Sequence, residues 1–97
     1  MPTFLVTLSY KADLARMDEL LGAHRAWLEE AIASGRLLVA GRKVPRTGGF
    51  LIARGERAEV EAWAATDPFA IGEAADYDFL EIAPTMVAPG LEALTRP

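Results

Sequence analysis

The sequence predicts an α+β fold with elements in the order β-α-β-β-α-β, a four-stranded antiparallel sheet carrying two helices on one face. Three observations support this. The chain opens on strict alternation, "TFLVTLSY". A long run of helical periodicity follows from Leu14. Two β-rich runs then lie close together, before a second helix-like segment and a final strand.

Each element has a local cause. Phe4, Val6, Leu8 and Tyr10 share one face of the first strand, with Thr3, Leu5, Thr7 and Ser9 on the other. A period of two marks a half-buried strand. Asp13 is placed to cap the first helix, expected over Leu14 to Ser34, and Gly35 suits the left-handed position past its end. "RLLVAGRKV" and "GGFLIAR" are the next two strands, with Pro45-Arg46-Thr47-Gly48 as the hairpin turn between them. "ERAEVEAWAAT" reads as a shorter helix with Val60, Trp63 and Ala64 as its apolar stripe, and "YDFLEIAPT" as the fourth strand. A short tail ends at Pro97. This is the ferredoxin-like arrangement. It leaves one sheet face uncovered, so a homodimer packing sheet against sheet is expected.

Composition narrows the function classes. At 97 residues the chain is expected to be a single domain, residues 1–97. Such a domain buries about 60–65% of its unfolded surface, which leaves little margin and favours a partner subunit. Ten Lys and Arg against fourteen acidic residues give a net charge of −4. That balance argues against a nucleic-acid or anionic-membrane partner, since both need a basic footprint. The absence of cysteine removes disulfides, thiol catalysis and Cys-ligated metals. "MPTFLVTLSYK" lacks the features of a signal peptide, and no apolar run reaches membrane-spanning length. The expectation is a cytoplasmic protein, and the Ala- and Arg-rich usage suggests a bacterial source.

The single histidine, His24, lies within roughly 60° of Met17, Leu20, Leu21, Leu28 and Ala31 around the first helix. It therefore points inward. An inward imidazole needs a partner, because an unsatisfied buried polar group costs about 1–3 kcal/mol. Two readings are open: a core histidine bonded to a backbone carbonyl, or a general acid or base. Asp67, in "AATDPFAIG", is likewise open to two compatible readings. It precedes proline and is placed to cap a single helical turn, "DPFAIG", closed by Gly72. A capping carboxylate has a second oxygen, which can face an imidazole and orient it as an activated base.

Taken together, "HRAWLEEAIASGRLLVAG", "GGFLIA", "EAWAATDPF" and a closing strand that reaches Pro84 resemble the YCII-related family of small bacterial proteins. The resemblance covers nearly the whole chain. It implies a ferredoxin-like fold that dimerises into an α+β barrel, akin to muconolactone isomerase. It also implies a His-Asp active site, which some members use on ring compounds, a dehydrochlorinase among them. Carried onto this chain, His24 and Asp67 take the dyad positions, with Pro68 and Phe69 shaping the pocket. One position departs from the pattern. Many relatives have proline after the glycine that ends the second strand, whereas Gly41 is followed here by Arg42. Arg42 is either a solvated strand-end charge or a planar fork for an anionic substrate group.

Other signals stay at background. One histidine without cysteine leaves only carboxylates for a metal, so neither a metal site nor a cofactor is expected. No phosphate loop or dinucleotide fingerprint is present. The pairs Asp76 and Asp78, and Glu29 and Glu30, read as solvated surface. Trp27 and Trp63 read as core. Ser9 and Tyr10 end the first strand, an ordinary place for both and also one from which they could line a pocket mouth. The leading expectation is a cofactor-independent enzyme, of lyase, isomerase or dehydrochlorinase type, moving a proton on a small organic molecule. The alternative is a dimeric module that binds a small ligand, or serves as an accessory protein, without catalysis. A dimer whose pocket is vestigial is the third reading. Fold alone does not separate the three.

Overall fold

Eight elements follow from the chain's local signals. The structure, a computed structural model, describes residues 1–96, so Pro97 lies outside the described residues. Strand β1 spans Thr3–Tyr10, helix α1 Leu14–Ser34, β2 Leu37–Arg42, β3 Gly48–Arg54, α2 Arg57–Ala64, α3 Pro68–Ile71 and β4 Ala75–Ile82, and a 3₁₀ turn occupies Glu92–Thr95. The sheet order is β2-β3-β1-β4, and each pairing is antiparallel. This is the expected ferredoxin-like topology.

The ends of α1 are set by local chemistry. The Asp13 side chain accepts the Arg16 amide at 2.9 Å. Gly35 closes the helix at φ 85°, a backbone conformation that costs a side-chain-bearing residue strain. Helix α2 stops at Ala64, two residues short of the segment's end at Thr66. The cause is Pro68, which forces Asp67 out of the helical region, to ψ 131°. Strand β4 begins two residues before Tyr77 and ends at Ile82, short of Pro84. The Lys11 amide bonds the Ala74 carbonyl at 2.9 Å, which anchors its start. Pro84 cannot donate to a ladder, so the strand does not extend through it.

Register decides which side chains face the helices. Leu8 lies opposite Gly49 on one side and Tyr77 on the other, and Val6 lies between Leu51 and Phe79. The inward layer is therefore Phe4, Val6 and Leu8 of β1, Leu51 and Ala53 of β3, and Tyr77 and Phe79 of β4. These pack with Met17, Ala31, Val60 and Phe69 from the helices. Arg57 caps this layer, its guanidinium 5.0 Å from the Phe4 ring. Gly48 has a steric reason to be glycine, since a Cβ there would sit 1.9 Å from the Leu8 carbonyl oxygen. The opposite sheet face carries Leu5, Phe50, Ile52, Leu80 and Ile82 between polar neighbours. Of these, Leu80 is 58% exposed.

Among the described residues, no helix is long and apolar enough to cross a membrane.

Candidate active site

Three backbone segments converge on one carboxylate. Pro68 opens α3, and Asp67 caps it by accepting the Phe69 amide on Oδ1 at 3.0 Å. The same oxygen meets His24 Nδ1 from the middle of α1 at 2.7 Å. The other oxygen, Oδ2, accepts the Tyr77 hydroxyl of β4 at 2.5 Å. Asp67 is fully buried and His24 is 8% exposed. A burial this deep is tolerable because each carboxylate oxygen has a partner. As arranged here, the Phe69 amide, the imidazole and the Tyr77 hydroxyl all point at the carboxylate.

The geometry also sets the tautomer. A carboxylate accepts and does not donate, so the hydrogen of the neutral imidazole sits on Nδ1. Nε2 is then the nitrogen left for chemistry. Packing fixes the ring plane. The imidazole stacks on Phe69 at 3.9 Å between centroids with an interplanar angle of 8°. Behind it come Trp27, at 5.9 Å, and Trp63, stacked on Trp27 at 4.3 Å. The Trp27 indole donates to the Thr66 hydroxyl at 2.9 Å, and that hydroxyl donates to the Trp63 carbonyl at 2.6 Å. Tryptophans that read as core thus form a half-buried column that stops the His24 ring from turning.

Burial, and then the hydrogen bond to Asp67, push the Tyr77 hydroxyl well above its ordinary value of 10.0. It therefore stays a donor, which is the role the carboxylate requires.

His24 also forms part of the wall of a cavity of about 480 Å³ between α1 and the β2–β3 end of the sheet. Its size falls within the usual range for small-molecule sites. The space exists because Ala40 and Gly49 put little or no side chain where α1 passes over the strands. Leu8, Leu21, Leu28 and Leu51 give it aliphatic walls, and Tyr10 and Phe69 supply aromatic ones. Tyr10 meets Phe69 edge to face at 5.8 Å. Arg25, Arg42 and Arg46 also line it.

The structure thus brings His24, Asp67, Tyr10, Arg42 and Phe69 together. It sets Ser9 and Pro68 apart from the cavity. Ser9 is exposed on the outer face of β1, where Lys43 donates to its hydroxyl at 3.2 Å. Pro68 is half-buried at the start of α3, behind Phe69. Asp76 and Asp78 are exposed, and Lys11 pairs with Asp76 at 3.3 Å. Glu29 and Glu30 are exposed as well.

Sequence reading missed Tyr77, Arg25 and Arg46. For Tyr77 a signal was available. It shares strand parity with Phe79, opposite to Asp76 and Asp78, and so points at the helices. For the two arginines there was none, since their meeting depends on how α1 lies over the hairpin.

Fold and site together define a class: small ferredoxin-like α+β proteins with a buried histidine–aspartate pair beside a cavity. The YCII-related domain matches residues 1–83, and the chain belongs to that family. Among solved structures it is similar to 5-chloro-2-hydroxyhydroquinone dehydrochlorinase from Burkholderia phenoliruptrix in complex with 2,5-dihydroxybenzoquinone. The TM-score is 0.63 at 24% identity, covering 78% of this chain and 90% of that one. At that identity the likeness establishes the shared fold. No curated protein matches the chain.

Proposed function

We propose that this chain is a small enzyme that moves a proton on a ring-shaped organic molecule by lyase- or isomerase-type chemistry. His24 Nε2 takes or gives the proton, and Asp67 holds the imidazole and stabilises its protonated form. One observation carries the reading: His24 lines the cavity while its other nitrogen is bonded to a fully buried carboxylate. An imidazole held in this way is an oriented base rather than a spacer. General acid–base catalysis contributes about 10²–10⁴-fold, enough for a substrate whose C–H or C–Cl bond is already activated by neighbouring oxygens. The mechanism calls on a base and a pocket and requires no cofactor. The solved neighbour named above is a dehydrochlorinase crystallised with a hydroxylated quinone, and that precedent favours ring substrates.

The working form in this reading is a cytoplasmic homodimer joined through the outer sheet face. Leu5, Phe50, Ile52, Leu80 and Ile82 form its apolar contact.

The test is to incubate the protein with hydroxylated and chlorinated ring compounds in D₂O, reading deuterium incorporation and chloride release. Exchange or elimination that disappears in His24→Gln supports the enzyme. Ligand binding without exchange overturns it and leaves a binding module, and exchange that survives His24→Gln overturns His24 as the base.

A further inference from the structure

The charge on the cavity wall is opposite to that of the protein. The chain has fourteen acidic residues and ten basic ones, yet three of the ten line this cavity and no acidic residue does. Asp67, bonded to the imidazole, is fully buried behind it. The arginines come from separate elements. Arg25 follows His24 on α1. Arg42 ends β2 opposite Gly49, whose missing side chain leaves the floor open beneath it. Arg46 rises from the β2–β3 connection and is bound to Asp18 of α1 at 2.8 Å. That bond and its charge hold the Arg46 proton more firmly than usual. They also make Arg46 a strut tying the hairpin to α1. Arg25 and Arg42 have no ion-pair partner among the described residues and remain available to a ligand.

We propose that the molecule taken into the His24 cavity is an oxyanion, a small ring bearing a carboxylate or an acidic enol oxygen, and that Arg25 and Arg42 hold this group at the cavity mouth. The proposal rests on reading the cavity as the ligand site and names the class of its occupant. Guanidinium groups match oxyanions with paired donors, a geometry that lysine does not offer. The aliphatic and aromatic walls exclude water around the ring, and the positive rim draws an anion towards an otherwise repelling acidic protein. An anion at the mouth also places the ring at the His24 end, where deprotonation beside the negative group is helped by the same arginines.

Benzoate and benzamide test this directly, because they share ring and shape and differ in charge. Binding is followed by NMR shifts of the His24 imidazole and the Phe69 amide. Benzoate should bind about tenfold more tightly than benzamide at low salt, the sum expected of two solvent-exposed charge contacts. The gap should shrink in about 0.5 M NaCl, where the Debye length falls to a few ångströms. The Arg25→Gln, Arg42→Gln double variant should bind the two probes equally. His24→Gln should keep the benzoate preference, which separates this proposal from the catalytic one: loss of turnover with retained preference faults only the catalytic reading. Equal binding by the unmodified protein, a preference that survives in the double variant, or no benzoate binding at all overturns the oxyanion assignment.

Discussion

Replacing Asp67 by Asn tests the centre of the site while keeping its shape. The carboxylate faces three donors: His24 Nδ1 and the Phe69 amide on Oδ1, and the Tyr77 hydroxyl on Oδ2. An amide offers one acceptor oxygen and a donor NH₂. The Phe69 N–H is fixed in the backbone and cannot turn away, so the amide oxygen should take the Oδ1 place. The NH₂ then faces Tyr77, whose hydroxyl must rotate and accept. Three charge-assisted hydrogen bonds become neutral ones, a difference of about 1 kcal/mol each. Relief from burying a charge returns part of this, leaving a loss of about 2–3 kcal/mol. For a chain of this length that lowers Tm by about 10–20 °C. Urea unfolding followed by circular dichroism measures the stability, and imidazole nitrogen NMR reads the tautomer. His24 should keep its hydrogen on Nδ1 while any proton-transfer activity falls by about 10²–10⁴-fold. A variant as stable as the original protein would refute the three-donor account. So would a His24 whose hydrogen moves to Nε2.

Three further outcomes follow from other parts of the structure. Tyr77 is raised above 10.0 in the folded protein and lies near that value when unfolded, so its contribution to stability is full below pH 10 and drains away as pH rises beyond it. Tyr77→Phe should flatten this alkaline loss in unfolding curves taken between pH 9 and 11, and an unchanged slope would show that another group causes it. Ala40→Leu fills the cavity without touching His24 or Asp67, and should abolish benzoate binding while changing stability by less than about 1 kcal/mol. Unimpaired binding in that variant would place the ligand elsewhere. Leu80→Lys puts a charge on the outer sheet face and should turn a sedimenting dimer into monomer. If the original protein already sediments as a monomer, the dimer proposal fails.

Part of the site was legible before the fold was known. His24 points inward because it shares a helical stripe with Met17 and Ala31. Asp67 reads as a cap because it stands before Pro68. Both follow from rules that act within a few residues. Their contact spans 43 residues and rests on how far α1 passes over the sheet, which no spacing encodes. Ser9 shows the converse. Strand parity had already set it on the face opposite Tyr10, and the cavity opens only on the Tyr10 side.

The sequence by itself determined the element order, the caps at Asp13, Gly35 and Asp67, and the face each strand residue presents. Period, capping and the proline restriction are local and leave few alternatives. Only the tertiary structure decided that Tyr77 would close the carboxylate, that Trp27 and Trp63 would brace the imidazole, and that Arg25, Arg42 and Arg46 would line one cavity. These contacts join four or more separate elements. Their geometry depends on β-register and on the depth at which α1 packs, which are properties of the whole core rather than of any segment.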